Sequence, residues 1–579
     1  MTRAAAPAAV NVSARDHLPR SSATRVVVLA VLALVMALAI GLLLASLVPG
    51  DVLAGRLLGA AGEARTGAFT QELIAQIDAR LRLAAGVLLL LTAGLVVWRG
   101  AFADLLHLTF DDFAWPRWPN QTDALAIGLP MLLTVGLRLP FLNQPMRYDE
   151  SLTFNEFASR PLYYGLSFYP DPNNHLLNTL LMHVTYAGLG NQPWILRLPA
   201  LIGGVLLVPA TYGLTRVLSG QRGTALLAAL LVAGSSYLVE YSTNARGYTL
   251  QALCFVVMLS QVTLAVRRDS PSALLPAALV GAVGAYALPT MLYGVLIAAA
   301  WFALEAWRVR LVRIRAGHLV VSGLLLGLVV MLAYLPVVLV SGADKLVSNR
   351  FVVPLDAAAL VNELPGSLLR TWALWNRDVP LPIAAVLLLG FCFVSFGEIR
   401  RQRVPLGILA LGTCVVLVVV QRVAPFERVW LFLLPLYLAL ASMGIVGLGA
   451  LAGRWVNLVT WLACLFAFML SIAVLRSGSV LRSTETGTFT DAEAVALSLR
   501  GRLGAGDAVV TTLPASLPEL QYYFPRAGLG IEALVRPPAE AQHLYVVTSR
   551  DSGAAIPGWG RAEVLERFPQ SEVLVLQRD

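Results

Sequence analysis

A polytopic α-helical membrane protein of about thirteen transmembrane helices, followed by a small C-terminal α/β domain, is the fold class this sequence predicts. Three observations predict it. Of its 579 residues 58% are hydrophobic and only 13% charged, a composition that cannot dissolve in water as one globule. Apolar runs long enough to cross about 30 Å of hydrocarbon recur almost to residue 475. Beyond residue 480 the text changes abruptly to an ordinary soluble pattern.

The predicted spans run 26 to 48, 83 to 98, 123 to 142, 194 to 218, 223 to 240, 248 to 266, 273 to 288, 290 to 307, 317 to 340, 380 to 396, 404 to 421, 429 to 452 and 455 to 475. Pro289 divides the seventh from the eighth, because proline lacks the backbone donor and clashes with the preceding turn; one broken helix is the alternative there. Orientation follows from arginines, which short cytoplasmic loops retain during insertion. With the amino terminus inside, those loops receive Arg216 and Arg222, Arg267 and Arg268, Arg308, Arg310, Arg313 and Arg315, Arg400, Arg401 and Arg403, and Arg454, while Arg3, Arg15, Arg20 and Arg25 lie in the amino-terminal tail. The loops 143 to 193 and 341 to 379 and the tail beyond 476 then face outward. The net charge of +9 is thus mostly a topology signal and gives no argument for nucleic acid.

The first span, about 23 apolar residues with no convincing cleavage site behind it, reads as a retained helix and not a secretory signal. Residues 49 to 82 read as an amphipathic outer segment lying on the bilayer. Cys254, Cys392, Cys414 and Cys464 all fall inside spans, so they build neither a disulfide framework nor a clustered metal site and read as small core residues. In the C-terminal part, 490 to 503 has helical spacing, and 506 to 513, 543 to 549 and 572 to 578 read as strands. That gives three segments: a tail with two added helices (1 to 122), a membrane core (123 to 475) and a soluble outer α/β domain (480 to 579).

Within the apolar runs the acids read are Glu305 and Glu398, both near inner ends, so the midplane lacks the ionisable groups an ion-coupled transporter needs. A Walker motif is excluded, since the sole lysine, Lys345, follows Asp344. The glycines of GLGALA, 447 to 452, sit in an apolar helix without a preceding strand, which points to close helix packing and not to a dinucleotide site. Polar chemistry gathers instead in the loop 143 to 193, where Asp149, Glu150, Glu156, Asp171, His175 and His183 are interleaved with Tyr148, Tyr163, Tyr164, Phe168 and Tyr169. A solvated loop with interfacial aromatics is the plain alternative. Against it, Asp149 and Glu150 follow a span closely, and Asp171-Pro172-Asn173-Asn174-His175 opens a second apolar-periodic segment, where a proline at a helix start offers a fixed site for a charged group. A carboxylate held there suits general-base work.

Four stretches carry a family resemblance: LRLPFLNQPMRYDE (137 to 150), DPNNHLLNTLL (171 to 181), the block 194 to 250 ending in Asn244-Ala245-Arg246-Gly247-Tyr248, and RVWLFLLPLYLALA (428 to 441). From about 123 to 475 the chain resembles GT-C integral membrane glycosyltransferases, in particular the family 39 group of protein mannosyltransferases and the lipid A aminoarabinose transferase. The resemblance implies a GT-C-like core and transfer of a sugar from a polyprenyl-phosphate carrier to an acceptor hydroxyl of a protein, lipid or glycan on the outer face of a bacterial plasma membrane, with inversion. It implies Asp149 as general base, Glu150 as its support or an acceptor contact, and Arg246 and Arg428 as contacts to the donor phosphate, which a guanidinium can grip through two oxygens. Asp171, Asn174, His175 and Tyr148 are the candidate substrate contacts, with a divalent metal as the alternative ligand of Asp171 and His175. Asn173-Asn174-His175-Leu176 departs from the commoner His-Pro-Pro, LPTMLYG (288 to 294) lacks a Thr-His pair, and the first two spans lie outside the resemblance. A transporter or flippase, and a catalytically inactive scaffold, are the readings that compete with an enzyme.

Overall fold

The computed structural model describes residues 22–61, 71–100, 103, 121–314, 316–347, 353–514, 516–550, 557–560 and 562–577. Arg3, Arg15, Arg20 and Arg315 of the charge argument lie outside the described residues. A helix occupies each of the thirteen predicted spans. Among the described residues ten helices are long and apolar enough to cross a membrane, and Arg222–Ala233 with Ser236–Ser242, bent by 61°, makes an eleventh if the pair is one span. Pro271–Ala287 and Leu406–Gln421 are shorter apolar helices, as is Leu176–Leu189 inside the predicted outer loop. The chain is an integral membrane protein.

Local chemistry explains the breaks. Helices end at Ala287 and restart at Met291, on either side of Pro289, as the missing proline donor requires. The 61° bend falls at Gly234 and Ser235, where the Ser235 hydroxyl caps the restarted helix by accepting from Leu238 N–H at 3.5 Å. That bend delivers Glu240, Asn244 and Arg246 to one place. Tyr248–Arg268, among the most buried of the spans, packs against Leu198–Ser219, Leu274–Ala287 and Met291–Val309. Leu381–Arg400 crosses Leu434–Gly449 so closely that a Cβ on Gly444 would overlap the Gly390 carbonyl, the kind of approach small residues permit.

Ser22–Ala45 and Gln71–Val97 pair with one another, and the second packs on Ala316–Val340. The amphipathic surface segment predicted over 49 to 82 is only part of the outcome. Gly50–Ala61 is a separate helix, but from Gln71 onward the chain already belongs to the long second helix. Ile77 and Leu81 of that helix, with Leu57, bury against Phe157, Tyr164, Phe168 and Leu339. Apolar contact with the outer loop thus extends the helix well before the hydrophobic run begins.

The C-terminal domain contains a four-stranded sheet: β1 (Ala508–Thr511), β2 (His543–Ser549), β3 (Glu563–Arg567) and β4 (Ser571–Gln577), in the order β1-β2-β4-β3. β1 runs parallel to β2, while β2 with β4 and β3 with β4 are antiparallel. Helices Ala492–Leu499 and Leu517–Arg526 pack on each other, and the second lies against the short helix Tyr148–Thr153. Leu517–Arg526 and β3 were not among the predicted elements. The first carries proline at both ends of its run, and β3 is a bulged edge strand whose sequence, EVLER, is largely charged.

Candidate active site

The site begins at the helix Tyr148–Thr153. A six-residue helix holds itself poorly, and neighbours supply what it lacks. Glu150, fully buried, reaches back to accept from Arg147 N–H at 2.9 Å, half of a capping box. Its carboxylate also accepts from Ala245 N–H at 2.8 Å and from Arg197 Nε at 3.1 Å, and Arg197 Nη2 pairs with its other oxygen. Arg147, buried as well, pairs with Glu240 at 2.8 Å, and Arg377 pairs with the second oxygen of Glu240 at 2.5 Å. Buried charges persist only when matched in this way. Glu240 closes the fifth predicted span, so that run does hold an acid, fully buried, and Asp123 opens the third.

Asp149 points the other way, into a cavity of about 1010 Å³. Its Oδ2 lies 3.7 Å from Arg428 Nη2. Arg428 is further held by Tyr248 Oη, which accepts from Nε at 3.1 Å, and by the Glu485 carbonyl, which accepts from Nη1 at 2.7 Å. Arg246 also lines the cavity, but much of its guanidinium is engaged within the wall. Nη1 donates to Thr153 Oγ1 and the Asn173 carbonyl, both at 2.7 Å, and to the Asp149 carbonyl at 3.4 Å. Nη2 meets His175 Nε2 at 3.0 Å.

His175 caps Leu176–Leu189, and its Nδ1 accepts from Gly247 N–H at 2.9 Å. Both ring nitrogens therefore face donors, which a neutral imidazole can satisfy only one at a time. Burial, then Arg246 and Arg428, hold its pKa well below the ordinary value. A metal does not fit there: the donor atoms are taken, a guanidinium adjoins them, and no group of three His, Cys, Asp or Glu suited to a metal occurs among the described residues. Burial, reinforced by Asp171, raises the pKa of Tyr169, another lining residue.

Of the residues singled out from sequence, Tyr148, Asp149, Asp171, His175, Arg246 and Arg428 share the cavity wall. Glu150 and Asn174 do not. Asn174 is used up holding the loop, donating to the carbonyls of Gly165 at 2.8 Å and Phe168 at 3.0 Å and accepting from Thr179 at 2.7 Å; Asn173 lines the cavity in its stead. Pro172 does not start the helix. It sits in a turn where Asp171 accepts from Asn173 N–H at 3.0 Å, and the helix starts at Leu176. Arg197 and Glu240 are absent from the sequence-predicted set, since only the fold brings them to Glu150 and to Arg147; Thr153, one turn from Asp149 on the same helix, is absent too.

The cavity also has an apolar lobe, bounded by Leu292, Val295, Leu326, Val330, Met331 and Leu335. One continuous space thus joins a charged pole to a hydrocarbon-like slot among membrane helices.

Over 78% of this chain and 97% of the other, the structure is similar to ArnT from Cupriavidus metallidurans in the apo state, at 11% identity and a TM-score of 0.50. Its membrane region carries the GT-C fold. ArnT from the same organism bound to undecaprenyl phosphate matches over the same shares, at 13% identity and a TM-score of 0.50. The archaeal oligosaccharyltransferase AglB from Archaeoglobus fulgidus, in complex with an inhibitory peptide and a dolichol-phosphate, is similar over 74% of this chain and 69% of that one, at 12% identity and a TM-score of 0.45. Residues 176–337 match the family model described as dolichyl-phosphate-mannose-protein mannosyltransferase. That part of the GT-C chain contains His183 and Arg246, whereas Asp149, Asp171, His175 and Arg428 lie outside it. No curated protein matches the sequence.

Proposed function

We propose that the protein transfers a sugar from a polyprenyl-phosphate donor to an acceptor hydroxyl at the outer face of a bacterial plasma membrane, inverting the anomeric carbon. One observation carries this reading: a single cavity joins an apolar lobe, suited to a prenyl chain, to a pole where Asp149 and Arg428 lie 3.7 Å apart. The ArnT structure with undecaprenyl phosphate bound supports it through the shared fold. In the step, Asp149 takes the proton of the acceptor hydroxyl as that oxygen bonds to the anomeric carbon. The bond from that carbon to the phosphate oxygen breaks, and its electron pair leaves with the polyprenyl phosphate. Arg428 balances the departing charge, with Arg246 behind it holding the Asp149 helix and the loop at Asn173. Glu150 orients that helix from the buried side. The arginine-rich loops support an outward-facing site and C-terminal domain.

The test is transfer from radiolabelled polyprenyl-phosphate sugars by membranes containing the wild-type protein or Asp149→Asn at matched expression. Loss of a general base lowers such rates by about 10²- to 10⁴-fold, and the expected outcome is a drop of that order with protein level unchanged. Undiminished transfer by the variant would remove Asp149 from the reaction.

A further inference from the structure

Residues 480 to 489, which lead from the last span into the C-terminal domain, form a strap laid over the back of the site. Its carbonyls point inward. Those of Val480 and Ser483 accept from Arg147, that of Glu485 accepts from Arg428 Nη1 at 2.7 Å, and that of Thr486 accepts from the backbone N–H of Asp149 at 3.2 Å. The Thr486 hydroxyl, on a residue only 2% exposed, accepts from Asn244 Nδ2 at 3.1 Å and lies 3.5 Å from Arg147 Nη1. Just beyond it, Gly487 adopts φ 74°, a left-handed conformation that glycine takes without cost. The Thr488 hydroxyl folds back on the Ser483 carbonyl at 2.7 Å, and Phe489 N–H donates to Glu519 at 3.1 Å, which fixes the far end of the strap in the domain.

We infer that Thr486 is a positioning residue for the transfer reaction, and that the C-terminal domain thereby supplies part of the active site. This rests on the reading of Asp149 as the base and Arg428 as the phosphate contact. Asp149 N–H belongs to the first turn of its helix, where no intrahelical acceptor exists; the Thr486 carbonyl fills that place. The Thr486 hydroxyl ties the same strap to Asn244, two residues before Arg246. One residue therefore sets the spacing between the helix that carries the carboxylate and the turn that carries an arginine, while the adjoining Glu485 carbonyl holds Arg428. Thr486 touches no substrate in this scheme and acts through Asp149.

Thr486→Val keeps the shape and removes the hydroxyl. Since a displacement of about 1 Å at a reacting group can lower a rate by about 10²-fold, kcat is expected to fall between about 10- and 100-fold, with KM for the lipid donor unchanged and a cooperative thermal unfolding transition at a modestly lower Tm, because buried Asn244 Nδ2 loses its acceptor. Thr486→Ser is expected to restore kcat. Should Thr486→Val fold poorly, Asn244→Ala removes the same bond from its other partner, and the same loss in kcat alone is expected. Wild-type kcat in these hydroxyl- and amide-deleted variants, a rise in KM in place of a fall in kcat, or failure of Thr486→Ser to restore the rate would each overturn the assignment. Asp149→Asn, assayed alongside, separates the two levels. If it is inactive while Thr486→Val behaves as wild type, the positioning role alone falls; if it retains full activity, the assignment of the base falls and the positioning role with it.

Discussion

Adjacent residues on a helix point about 100° apart, and in Tyr148–Thr153 that angle divides two neighbouring carboxylates between two tasks. Asp149 is turned to the cavity; Glu150 is turned into the protein, where Arg197, Ala245 N–H and Arg147 N–H surround it. Glu150→Gln is expected to cost about 3–5 kcal/mol, the range for breaking a buried pair, because Arg197 would stay buried without its counter-charge. Thermal unfolding of the purified variant measures this, and equal stability of variant and wild type would deny Glu150 its anchoring role. Glu519 offers a second test at this scale. It is fully buried beside Arg147, Asp149 and Glu150, and burial, partly offset by its bond from Phe489 N–H, pushes its pKa up to about 8. The folded state therefore holds this proton through a pH range in which the unfolded chain has released it. Its contribution to stability is present below the ordinary carboxyl pKa and is lost as pH rises toward about 8. Glu519→Gln is expected to flatten the decline of thermal stability between pH 5 and about 8, and an identical decline in the variant would refute the shift.

Among the elements, Ala316–Val340 has two faces with different duties. Leu326, Val330 and Met331 line the apolar lobe, while Leu335, also on the cavity wall, packs against the cluster of Val35, Ala39 and Leu88 from the added N-terminal helices. Val330→Trp is expected to raise KM for a long-chain polyprenyl donor several-fold, by filling the lobe, and to affect a short-chain analogue much less; comparing the two donors in the transfer assay checks it. How much could be read from sequence also divides by element. The spans were legible because each is a long apolar run, and β2 because HLYVVTS combines β-branched and aromatic residues. Asp149, Asp171, His175 and Arg246 were legible because they lie in stretches that carry the resemblance. Thr486 and Glu240 were not: a threonine in a linker and an acid at the end of a span carry no local signal, and their roles come from contacts between segments distant in the chain. Asn174 misled for the opposite reason, since a polar residue in a promising motif served only to tie the loop together.

Taken as a whole, the molecule assembles its site from four far-apart parts of the chain: the outer loop, the turn at 243 to 247 after the bent pair, the segment Glu427–Leu433 that carries Arg428, and the strap with its domain. A ribosome makes them in that order, and chains made from the amino terminus onward fold domain by domain as they emerge. Every span, the cavity and both carboxylates of the pair are in place on the chain before Thr486 exists. A nascent protein halted after its last span would thus be inserted in the bilayer with Asp149 N–H uncapped and Arg428 lacking the Glu485 carbonyl. On the proposed mechanism the strap therefore ties catalysis to biosynthesis: full competence to transfer would await residues made after the whole membrane core.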